Sequence, residues 1–99
     1  MDVQVMSVEQ FCHNSITTLD DHVDLMLAEL TLPDTQVAIL NRAKTKLECA
    51  NRLIERHMYP QSLTLEVSAV FDLAEVVDFL GLHEVADKVR ATYTEIGEL

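Results

Sequence analysis

Basic residues are missing from the first 34 positions of this chain, which carry seven acidic side chains and neither lysine nor arginine. Positions 35 to 58 hold five basic and two acidic side chains, positions 59 to 99 hold two basic and eight acidic, and the net charge is −10. A nucleic-acid binder needs a basic patch that displaces counterions from phosphate. The one basic segment here is bracketed by acid, so nucleic acid is not an expected partner and a basic protein surface is.

Glycine and proline are scarce at two residues each, and tryptophan is absent. With 48% aliphatic and aromatic residues, that balance excludes a low-complexity tail and suits an ordered, mostly helical chain. The two cysteines, Cys12 and Cys49, form no CxxC and no disulfide framework, which fits a reducing compartment. No apolar run approaches the roughly eighteen residues a membrane span needs. The opening MDVQVMSVEQ lacks the basic region of a signal peptide. A cytoplasmic location and no membrane association are the expectations. At 99 residues the chain is one domain, able to bury a core but too small to add a separate catalytic unit.

Helical periodicity organises the chain. Ser7 with Gln10 forms a capping box. Cys12, Ile16, Leu19, Val23, Met26 and Leu30 then follow at spacings of 4 and 3, a heptad seam on a first helix over 7–31. Thr31-Leu32-Pro33-Asp34 breaks the pattern, with Thr31 able to cap and Pro33 and Asp34 suited to a first helical turn. A second helix over 33–58 places Leu40, Ala43, Leu47, Ala50, Ile54 and His57 on one stripe. Two such helices joined tightly form an antiparallel αα-hairpin, its acidic first arm facing its basic second.

Tyr59-Pro60 ends the second helix. Thirteen of the twenty residues from Leu63 to Leu82 are apolar, and Ser68, Asp72, Glu75 and Asp78 form one narrow polar strip. The segment reads as a central helix over 63–80, although LTLEVSAV also alternates like a strand. Gly81 supplies the left-handed residue that stops it. A last helix over 83–96 sets Val85, Val89, Tyr93 and Ile96 on one face. The expected fold is all-α, a long antiparallel hairpin plus two shorter helices in a four-helix-bundle-like arrangement. The hairpin would span about 37 Å, against about 27 Å and 21 Å for the later helices, leaving its seam partly uncovered. A second copy is the default cover for such a seam, so a homodimer is expected.

HNSITTL, residues 13–19, resembles the phospho-acceptor motif of histidine-kinase dimerisation domains. LNRAKTKLECANRLIERHM, residues 40–58, and VFDLAEVVDFL, residues 70–80, are similar to the segments that follow in that family. The resemblance implies His13 as phosphoryl acceptor, with Asn14 and Thr17 assisting. Two departures matter: Asn14 cannot serve as a general base, and Thr18 stands where the family usually has proline. The chain has no glycine-rich phosphate loop and no room for an ATP-binding domain, so this alternative is a phosphate relay and not a kinase.

Other chemistry is not signalled. His13, His22, His57 and His83 form no i, i+4 pair, so neither a metal site nor a cofactor is expected. No nucleophile triad can be read. A redox pairing of Cys12 with Cys49 across the hairpin is weighed against ordinary packed thiols, the commoner case. The leading expectation is a protein-binding regulatory adaptor or anti-activator that covers a basic-rimmed apolar surface. Its interface would comprise Ile16, Leu19, Val23, Met26, Leu30, Leu40, Leu47 and Ile54, with Asp20, Asp21 and Asp24 as an acidic rim.

Overall fold

The computed structural model describes residues 7–97, excluding the side chains of residues 8 and 95–97. Four helices account for nearly all of it: α1 (Val8–Glu29), α2 (Asp34–Glu55), α3 (Tyr59–Phe79) and α4 (His83–Gly97). No strand occurs among the described residues, so LTLEVSAV lies wholly within α3. No helix is long and apolar enough to cross a membrane.

The helix ends follow local chemistry. Ser7 caps α1, its Oγ accepting from the Gln10 N–H at 3.1 Å. The helix stops at Glu29, two residues short of the expected end, because Leu30 adopts an extended backbone. Pro33, not Thr31, occupies the N-cap of α2 and makes no side-chain cap; its carbonyl accepts from Gln36 and Val37. At the other end α2 ends at Glu55. His57 therefore leaves the expected stripe and stands exposed in the turn with φ of 59°. α3 begins at Tyr59, four residues earlier than expected, with Pro60 in the first turn where no intrahelical N–H is needed. Gly81, at φ of 87°, closes α3 as the spacing predicts, and the Leu82 N–H reaches back to the Val77 carbonyl at 3.2 Å.

The four helices run alternately up and down. α2 packs most extensively on α3, α3 on α4, and α1 on α2; α1 touches α3 lightly, and α1 and α4 do not pack on each other. The bundle is thus open along one side. Ile16, Val23, Leu40, Leu47 and Ile54 meet Ala69, Leu73 and Val76 in one buried cluster. Ala43 and Ala50, also fully buried, let α2 approach its neighbours closely. Burying each large aliphatic side chain contributes about 1.5–3 kcal/mol, so this cluster is what holds α1, α2 and α3 together.

The seam is sealed from within. Of its expected interface residues, Ile16, Val23, Leu40, Leu47 and Ile54 are core residues of the single chain. Leu19 and Met26 are half-buried against that core, and Leu30 alone retains substantial exposure, at 39%. The reason is length. α3 has 21 residues against 22 in α2, so the two match at about 32 and 33 Å and α3 covers the whole stripe.

Candidate functional site

His13 sits on α1 facing α2, half-buried, with its Nδ1 2.9 Å from the Asn51 Oδ1. The contact fixes the orientation of the imidazole ring against α2. Nε2 lies 4.0 Å from the Glu9 carboxylate. The His13 side chain is therefore not the freely accessible group that its place on a polar strip implies. Asn14 lies one step round the helix, where it lines a groove toward α4, and Thr17 is exposed.

Lys44 on α2 reaches α1, meeting Asp24 at 2.5 Å and Asp20 at 3.4 Å. Two of the three expected rim acids are thus occupied within the chain, and the third, Asp21, is exposed. Cys12 and Cys49 are both free and half-buried. Burial, helped by the Glu66 charge, pushes the Cys12 thiol up, which lowers its thiolate fraction and its reactivity.

The buried acids of α3 escape a reading of the sequence. Asp72, only 5% exposed, accepts from Arg42 and Lys46 of α2, each at 2.7 Å. Burial pushes its carboxyl up, but the hydrogen bonds from Arg42 and Lys46 outweigh that and hold it below the usual carboxylate value. Lys46 also donates to Ser68 at 2.8 Å. The expected polar strip of α3 is therefore turned inward here, toward the basic stretch of α2. The signal was present as two matching i, i+4 pairs, Arg42 with Lys46 and Ser68 with Asp72.

Glu66 is different. It is 6% exposed and accepts a hydrogen bond from Ser15 of α1. Burial raises its carboxyl, partly opposed by that bond, and none of the ion pairs among the described residues includes it.

Ser15 also lines an open groove of about 460 Å³ on the side where α1 and α4 stand apart. Phe11, Ser15, Thr18 and His22 of α1 form one wall with Leu19 beneath them, and Tyr93 of α4 forms the other. These α1 positions repeat at spacings of 4 and 3, and Leu25 continues the same stripe. Phe11 is 65% and Leu25 57% exposed, so the stripe has apolar ends and a polar middle. A second apolar patch, Phe79, Leu80, Leu82 and Val85, surrounds the α3–α4 turn. Among the described residues no three His, Cys, Asp or Glu side chains are arranged to hold a metal ion.

No protein-family model, no curated protein and no solved structure matches the chain.

Proposed function

We propose that the chain is an acidic helical module that binds another protein and works by occupying its surface, as a regulatory adaptor or anti-activator. The supporting observation is the exposed stripe on α1, with Phe11 and Leu25 at its ends beside an open groove. Phe11 and Leu25 are large apolar side chains exposed on one face of α1, and Phe11 lines the groove itself. The binding face is then the outer side of α1, and the sealed hairpin seam plays no part. A basic-rimmed apolar partner suits a molecule of net charge −10. A second copy suits it poorly, because self-association would bring two such charges together and no open seam calls for it.

The test is affinity capture from native extract with the wild-type chain and a Phe11→Asp, Leu25→Asp variant. A specific partner should elute with rising salt and be lost from the variant. Partners retained equally by both chains would refute the α1 face.

A second reading, phosphoryl relay at His13, draws support from the contact of Nδ1 with Asn51, which orients the ring and engages Nδ1 rather than Nε2. The Glu9 carboxylate weighs against it, because it repels an incoming phosphoryl group. Incubation with a small phospho-donor, followed by assay for acid-labile phosphate on His13, decides between them.

A further inference from the structure

The two buried acids of α3 are provided for unequally. Asp72 has two cations from α2, while Glu66 has a single hydroxyl from α1 and no cation. Burying a carboxylate without a counter-charge is costly, and proteins ordinarily pair or neutralise such a group. Glu66 lies directly behind Ser15, and Ser15 lines the groove. Glu66 itself does not line the groove; Ser15 stands between the two and links them by its hydroxyl. On either side of Ser15 along α1 stand the apolar ends of the stripe, Phe11 and Leu25, fourteen residues or about 21 Å apart.

We propose that the groove between α1 and α4 receives an amphipathic helix of a partner protein. That helix sets two apolar anchors about two heptads apart against Phe11 and Leu25, and one Lys or Arg between them toward Ser15 and Glu66. The inference rests on the protein-binding reading and specifies its ligand. A helix fits because α1 and α4 do not pack on each other, so the place of a bundle neighbour is open there. Apolar groups at heptad spacing on α1 match the pattern a facing helix would present. A cation matches the charge: Glu66 supplies a carboxylate behind the Ser15 hydroxyl, His22 is the titratable side chain of the groove wall, and the whole molecule carries −10. Burial raises the Glu66 carboxyl, and a cation placed beside it would lower it again.

The experiment is selection of a displayed helical-peptide library on the full chain at neutral pH, with amide exchange to locate the bound helix. Enriched helices should carry Lys or Arg between apolar anchors and protect α1. Glu66→Gln, nearly isosteric, should weaken them at least about tenfold, as expected for loss of a charged hydrogen-bonding partner. Ser15→Ala should weaken them less and still fold, as judged by its circular dichroism. Leu82→Asp, at the other apolar patch, should leave affinity unchanged. Enriched helices that lack a cation, or that bind Glu66→Gln as well as wild type, would overturn the proposal. Protection confined to the Phe79–Leu82 corner would sink the groove but leave the module reading standing, whereas failure to select any helix would count against both.

Discussion

His13 and Asn51, 38 positions apart, meet at 2.9 Å across the first hairpin. The bond sets the register of α1 on α2, and Lys44 with Asp20 keeps the same register one to two turns along. Replacing Asn51 with Ala should lower the unfolding free energy by about 1 kcal/mol, as for a neutral hydrogen bond. The His13→Ala, Asn51→Ala double variant should lose less than the sum of the two single changes. Urea melts of the four chains measure that coupling; full additivity would mean that the bond contributes nothing.

Asp72 should be the most sensitive polar position in the core. Asp72→Ala leaves Lys46 and Arg42 without their shared carboxylate, and a loss of about 2 kcal/mol is expected, below the usual figure for a fully buried pair because both cations can turn to water. Arg42→Ala should cost less than Lys46→Ala, since the Arg42 side chain is more than half exposed. Denaturation midpoints of the three variants test the order.

Glu66 and Asp72 set opposite pH dependences. The folded Glu66 carboxyl is raised above its ordinary 4.5, so between that value and the folded one the native state binds more protons than the unfolded chain. Stability therefore falls as pH rises through that window. Asp72 is held below its ordinary 3.8, so its contribution is present above 3.8 and is lost as pH drops through its folded value. The melting temperature should rise as pH falls through the Glu66 window toward 4.5, and fall as pH drops below 3.8 through the folded Asp72 value. Relief of the overall negative charge acts in the same direction on the first limb. Glu66→Gln isolates the carboxyl: it should flatten that limb and leave the acid limb intact.

Gly81 should tolerate no ordinary side chain without strain, although space is not the reason. A Cβ there would meet nothing within 4 Å, yet φ is +87°. Gly81→Ala should cost about 1–2 kcal/mol, and Gly81→Asn less, because asparagine enters the left-handed region more readily. Thermal melts of the two variants give the comparison.

The chain should sediment as a monomer of 11.2 kDa at micromolar concentration. A dimer that dissociates with Phe11→Asp would place a second copy on the α1 stripe and reverse the preference for a basic partner.

Much of the fold was legible because its signals are local. The Ser7 cap, the heptad spacing of Ile16, Val23 and Leu40, Leu47, and the Gly81 stop each depend on neighbours within a turn or two. Even the hairpin register could be approached, since a loop centred near Leu32 brings position 12 close to 53 and the structure pairs 13 with 51. What misled was Tyr59-Pro60. Proline ends one helix but is equally at home in the first turn of the next, and those four extra residues let α3 seal the seam that the sequence appeared to leave open. The candidate site was less legible. Charge alone does not tell a solvated acid from a buried one; Asp72 is distinguished by cations 30 and 26 positions away, and Glu66 by having none. Phe11 and Leu25 fall outside the seam spacing, so they passed as ordinary surface residues.

Because each helix rests mainly on the one before and after it in the chain, nearly every long contact is made between segments adjacent in order. Such a topology has little loop entropy to overcome and favours rapid assembly from the α2–α3 pair outward. It also lets either terminal rod detach without dismantling the middle, so amide exchange in α1 and α4 should outpace that in α2 and α3.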